Sequence, residues 1–263
     1  MPISILKKVW SHENELWLAD PPAKKDHTRS LIILVWTALG LAITEYWGNT
    51  QFVIAVLKSW NLIGAANAYA QYMSVGPDAR LHALCWWSGT IIFVYFVVPS
   101  LLTRFVFQMR LSEMGLTFKN SMQGWPLYVI MLGVMIPLVF FCSGTDSFQA
   151  RYPFYKMVPG ESPFPNFLIW EIVYFIQFAS LEFFFRGFIT LGTRKSFGYM
   201  SIFVMMVPYC MIHFGKPMPE TIGAIVAGIV LGTLSLKSRS VILGIMIHYS
   251  VAITMDMMAL WRK

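Results

Sequence analysis

The stretch Leu181-Glu182-Phe183-Phe184-Phe185-Arg186-Gly187 sets an acid and a guanidinium four residues apart among aromatic neighbours. At 3.6 residues per helical turn, that spacing puts both on one face, a turn apart. Glu171 lies eleven residues upstream of Glu182, close to three whole turns. It therefore shares the Glu182 face, about 16 Å along the axis. Two imidazoles follow in apolar surroundings. His213 closes Tyr209-Cys210-Met211-Ile212-His213, and His248 sits inside Gly244-Ile245-Met246-Ile247-His248-Tyr249-Ser250. A glutamate and a histidine can hold and activate a water. A second imidazole can donate a hydrogen bond to a developing oxyanion. Two histidines and a glutamate are also a zinc ligand set, and a zinc ion here would use Glu182, His213 and His248. The plainer alternative is a neutralising Glu182–Arg186 ion pair with histidines hydrogen-bonded in a core.

These side chains need elements to carry them, and composition says what those elements are. The chain has 263 residues, 57% hydrophobic and only 13% charged, with mean hydropathy +0.59. A soluble domain carries about 25% charged residues, so this chain cannot cover a water-facing surface. It reads as an all-α, polytopic membrane bundle of about seven helices, eight if residues 49–81 also cross. The clear apolar runs are Leu31–Trp47, Leu84–Leu102, Trp125–Cys142, Phe167–Leu191, Met200–Ile212, Ile222–Leu236 and Val241–Met258. Each approaches the length that spans hydrocarbon. Residues 49–81 are mixed and suit a re-entrant or interfacial helix, or one weak span.

Residues 1–29 are the most polar stretch, broken by Pro21-Pro22. No signal peptide is visible there, and Ile5–Leu18 suits the membrane surface. If residues 49–81 do not cross, an N-terminus inside places twelve Lys and Arg on the cytoplasmic face and seven outside. That asymmetry favours a cytoplasmic (inner) membrane with the N-terminus inside. The net charge of +7 then reflects basic loops facing anionic lipid, not a nucleic-acid partner. The three cysteines lie in apolar stretches with no Cys-x-x-Cys and serve as small hydrophobes. No internal repeat is present, which weighs against a transporter.

An intramembrane ionisable group is a functional candidate by default. Beyond Glu182, Arg186, His213 and His248, the candidates are Glu171, Asp256, Tyr209 of the His213 turn, and Glu220 at a loop-to-helix boundary. Glu45 near a span end reads as snorkelling. Depth sets a condition on the main set. Counted from the expected cytoplasmic ends, Glu182 and His248 come out about 12 Å deep and His213 about 24 Å deep. They meet only if a helix is shifted or broken, and Pro208 is the residue to break one.

Glu182-x-x-x-Arg186-Gly187 followed by His213 and His248 resembles the CPBP family, which comprises type II CAAX prenyl proteases and bacteriocin-processing or immunity proteins and is also called Abi. The resemblance covers residues 120–258. The family's motifs are Glu-Glu-x-x-x-Arg, Phe-x-x-x-His and His-x-x-x-Asn or Asp. Leu181 stands at the first Glu, Tyr209 at the Phe, and Ala252 at the Asn or Asp. The resemblance implies a helical bundle with glutamate-type proteolysis inside the membrane, no required cofactor, and a membrane-embedded or lipidated protein substrate. In that reading Glu182 is the base or water-orienting acid, and Arg186 orients it. His213 holds the water and His248 stabilises the oxyanion. Residues 1–29 then form a polar segment, 30–119 an N-terminal membrane region and 120–258 the protease-like core. The alternative is a pseudoprotease that binds a membrane client without cutting it, because Leu181 and Ala252 replace two motif residues.

Overall fold

The computed structural model describes residues 2–157 and 160–262. Among these the chain is helical, without strands. Helix α1 (Pro2–Ala19) stops before Pro21-Pro22, and α2 (Lys24–Trp47) starts at once. Proline cannot donate a backbone hydrogen bond and holds its predecessor extended, so the break falls where the pair stands. The start of α2 is fixed by Asp26, whose carboxylate accepts the Ala23 N–H at 3.0 Å and Arg29 Nη2 at 2.8 Å.

Residues 49–81 resolve into two short helices, α3 (Thr50–Ser59) and α4 (Ile63–Ser74), joined through Asn61 at φ 59°. Neither reaches the roughly 20 residues a span needs. By length, neither is an eighth crossing. The continuous helical segment α5 (Ala79–Val106) follows, widened by two π-helical stretches around Pro99. Then comes α6 (Trp125–Cys142), which starts after Gly124 at φ 87°. Exposed Val129, Ile130, Val134 and Phe141 on α6 make a face that only lipid accepts.

Among the described residues six segments are long and apolar enough to cross a membrane, with the expected runs Phe167–Leu191 and Met200–Ile212 falling in one helical stretch, Asn166–Met211, of 46 residues. As a straight helix it would run about 70 Å, twice the hydrocarbon thickness. Gly198, at φ 55° and ψ −136°, breaks it instead. The descending arm is α7 (Asn166–Glu182), a π-helical stretch Phe183–Leu191, and α8 (Gly192–Phe197). The returning arm is α9 (Ser201–Met211). Helices α10 (Met218–Ser238) and α11 (Ile242–Trp261) complete the bundle.

The descending arm is the buried axis of the molecule. Phe183, Phe184, Phe185 and Phe188 are fully buried. Phe184, Phe185 and Phe188 pack with Ile33, Val94, Tyr95, Met205 and Tyr209 from three other helices, and Phe183 meets Phe96 edge-on. A hydrocarbon solvent gives no hydrophobic drive for helices to associate, so close packing and polar contacts hold them. Gly187 shows how close that packing is. A Cβ there would lie 2.3 Å from the Met114 carbonyl oxygen, on the loop that leads out of α5. We expect Gly187→Ala to destabilise the protein by about 1–3 kcal/mol. Thermal unfolding in detergent measures this, and an unchanged midpoint would contradict the packing described.

Candidate active site

Glu182 is the last residue of α7, just before the π-helical stretch, and is fully buried. One carboxylate oxygen, Oε1, is held twice. Arg186 Nη1 stands 3.1 Å away and His248 Nδ1 2.7 Å away. The other oxygen, Oε2, is buried with no hydrogen-bond partner among the described residues. It lies over Gly244, where an added Cβ would meet it at 2.7 Å. Sequence reading passed over Gly244, yet the signal was present: it precedes His248 by one turn on the same face of α11.

Two antiparallel stripes create this contact. Along α7 run Glu171 and Glu182; along α11 run Gly244, His248, Ala252 and Asp256 at four-residue spacing. Glu182 meets His248 at one end. At the other end Glu171 and Asp256 lie close enough for their charges to interact, while Glu171 Oε1 and Asp256 Oδ1 have no hydrogen-bond partner among the described residues. Tyr249 donates its hydroxyl to Glu171 Oε2 at 3.1 Å, and Trp170 Nε1 donates to Asp256 Oδ2 at 3.5 Å. Glu171 and Asp256 therefore form a separate acid pair further along the bundle. Glu220 is engaged elsewhere too, accepting from the Tyr152 hydroxyl at 3.0 Å and from Lys216 Nζ at 2.7 Å.

Tyr209 joins His213 to the Glu182 group. The Arg186 guanidinium carbon lies 3.9 Å from the centre of the Tyr209 ring, a cation–π contact that shields a buried charge. The same ring has its centre 4.8 Å from His213 and 6.2 Å from His248. His213 thus reaches the group through Tyr209 and makes no hydrogen bond with Glu182 among the described residues. The expected depth gap closes because the descending arm runs on to Phe197 and the returning helix starts only at Ser201. Pro208 sits inside α9 without ending it.

His213 is buried, and its Nδ1 lies 2.8 Å from the Tyr209 carbonyl oxygen. A carbonyl only accepts, so Nδ1 carries the proton and Nε2 keeps its lone pair. Burial, with Lys216 as a second cause, pushes the imidazole down to about 3. It is neutral near pH 7, with an acceptor lone pair at Nε2. His248 contacts the Glu182 carboxylate through Nδ1, the orientation by which a carboxylate fixes a working imidazole. Among the described residues no three His, Cys, Asp or Glu side chains gather as a metal site. The Glu182, His213 and His248 set that zinc would use does not converge on one point.

Residues 163–254 match the family model described as type II CAAX prenyl endopeptidase Rce1-like. The matched stretch contains Glu182, Arg186, His213 and His248 and nearly all of the α7–α11 frame that positions them. It agrees with the CPBP resemblance of the same motifs. No curated protein and no solved structure matches the chain. Tyr128 of α6, buried beside the Glu182–Arg186 pair, lies outside the Rce1-like stretch, and no feature of its sequence setting marked it.

The His213 environment has a consequence for stability. Its folded-state value of about 3 lies below an unfolded value near 6.5. The unfolded chain therefore binds the extra proton first. The contribution is whole above about pH 6.5 and falls away as pH drops toward 3, by about 1.4 kcal/mol per unit. Detergent unfolding of the native chain and of His213→Phe, measured across this window, should differ in slope by that amount. Parallel pH profiles would contradict a buried neutral imidazole.

Proposed function

We propose that the protein is an intramembrane endopeptidase that hydrolyses a peptide bond of a membrane-associated or lipidated protein, with the 120–258 region as its core. The observation that carries this reading is the half-occupied carboxylate of Glu182. Oε1 is held by Arg186 and His248, while Oε2 is a buried acceptor with no hydrogen-bond partner among the described residues. Such an oxygen can accept a hydrogen bond from a water and orient it. Water oxygen adds to the scissile carbonyl carbon and its proton passes to Glu182, while His213 Nε2 accepts a hydrogen bond from the water and holds it. Glu182, once it holds that proton, donates it in a hydrogen bond to His248 Nδ1, and the neutral imidazole presents Nε2–H to the oxyanion. Collapse breaks the C–N bond, and the stored proton goes to the leaving amine. Arg186 keeps Glu182 in place. The Rce1-like match supports peptidase chemistry at the family level, and the name of that family motivates the lipidated class of substrate. The basic-loop asymmetry supports an inner-membrane location with the N-terminus inside.

A second reading rests on the two departures from the motifs. Leu181 is buried in the aromatic cluster around Phe184 and Tyr209, and Ala252 in the cluster around Trp170 and Tyr174. Both positions are filled by packing, as a binding protein that had given up cleavage would fill them.

An in-membrane cleavage assay on a prenylated peptide separates the two. The native chain should cleave, and Glu182→Gln and His213→Ala should each lower the rate by about 100-fold or more. Equal rates for all three would remove these residues from the chemistry. No cleavage by the native chain, with the peptide still bound, would favour the pseudoprotease.

A further inference from the structure

At the end of the bundle where α10 stops and α11 begins, α1 lies across the helix ends. Trp10 Nε1 donates to Thr233 Oγ1 at 3.0 Å, and the Trp10 ring stacks on Tyr199 at 5.9 Å. Lys195 and Asp20 form an ion pair that ties down the other end of α1. Between α1 and the C-terminal turn of α10 lies a cavity of about 430 Å³. Lys8, His12, Lys237 and Arg239 contribute its polar wall, with Glu13 the one carboxylate; Val9 and Leu236 contribute apolar wall.

The charges are unevenly matched. Glu13 is buried and accepts from Arg239 Nη2 at 2.5 Å. That pairing leaves Arg239 Nη1 buried with no hydrogen-bond partner among the described residues. Lys8 and Lys237 are exposed, and neither forms an ion pair among the described residues. Arg194 lies within electrostatic reach of Arg239, with Glu13 and Glu113 as the nearby carboxylates. The backbone reinforces the placement: Arg239 caps α10 in the left-handed region at φ 55°, a conformation that holds its side chain at the helix end.

We propose that this cavity binds the phosphate headgroup of an anionic phospholipid. Several cations converge on a space with one already-paired carboxylate, which is the chemistry of a phosphate site. The apolar wall and the position at the ends of membrane-spanning helices select a lipid over a soluble phosphate. Exposed Ile3, Leu16 and Leu18 on α1 belong in a bilayer interface, not in water. The site is separate from Glu182, His213 and His248, so the inference stands whether or not the protein cleaves peptides. The lipid would brace α1 against α10.

Native mass spectrometry or thermal-shift titration of the full chain in detergent tests it, with phosphatidylglycerol, phosphatidylcholine and glycerol 3-phosphate as probes. Phosphatidylglycerol should bind and stabilise the native chain, and phosphatidylcholine should not. A Lys8→Gln/Lys237→Gln pair, on exposed residues that hold no fold contact, should weaken phosphatidylglycerol about 30-fold. Lys24→Gln/Lys25→Gln, the same charge change elsewhere, should leave it within about twofold. Equal losses in both pairs would reduce the effect to general charge and overturn the site. Glycerol 3-phosphate binding as tightly as the lipid would overturn the lipid assignment, and no difference between the two phospholipids would overturn both.

Discussion

A carboxylate deep in a membrane bundle has to be compensated, and the Glu182 charge organises this structure. Removing such a charge from water costs several kcal/mol even after the protein relaxes. Arg186 one turn away, His248 from α11, and the Tyr209 ring under the guanidinium all answer that cost. Three elements must stay in register for them to do so. The fully buried phenylalanines of the descending arm and glycines at the closest approaches hold that register. Compensation is incomplete, because one oxygen of Glu182 makes no hydrogen bond among the described residues.

The π-helical stretch follows Glu182 directly. Such segments concentrate at functional sites because they re-aim side chains at some cost in backbone geometry. Here the stretch carries Arg186 and delivers it beneath Glu182 and over Tyr209. Tyr209 then becomes the hub of the site. Its carbonyl fixes the His213 tautomer, and its ring touches Arg186 and both imidazoles. The phenolic ring at the position where the CPBP motif carries phenylalanine keeps the aromatic face that this contact needs.

Much of this was legible in the sequence. Low charge and long apolar runs give the membrane bundle. The four-residue spacing of Glu182 and Arg186 gives their shared face, and Pro21-Pro22 the break before α2. What was not legible depended on departures from regular helix. Counting from the expected arm ends placed His213 too deep to join Glu182, since neither the end of the descending arm at Phe197 nor the start of α9 at Ser201 has a strong sequence signature. Residues 49–81 were ambiguous because polar residues interrupt them at a spacing that fits both a weak span and two short helices. Glu171 and Asp256 looked like reserves for the main site; the antiparallel pairing of α7 with α11 instead places them near each other, held by Tyr249 and Trp170. Gly244 and Tyr128 escaped because their roles come from proximity alone.

The central claim is that Glu182 and His248 form one coupled, buried unit. A double-mutant cycle on unfolding in detergent, using Glu182→Gln, His248→Gln and the pair, measures that coupling directly. A charge-assisted contact of this kind predicts a coupling energy of about 1.5–3 kcal/mol. Strictly additive effects would contradict the account, because the two side chains would then be buried side by side without acting on each other.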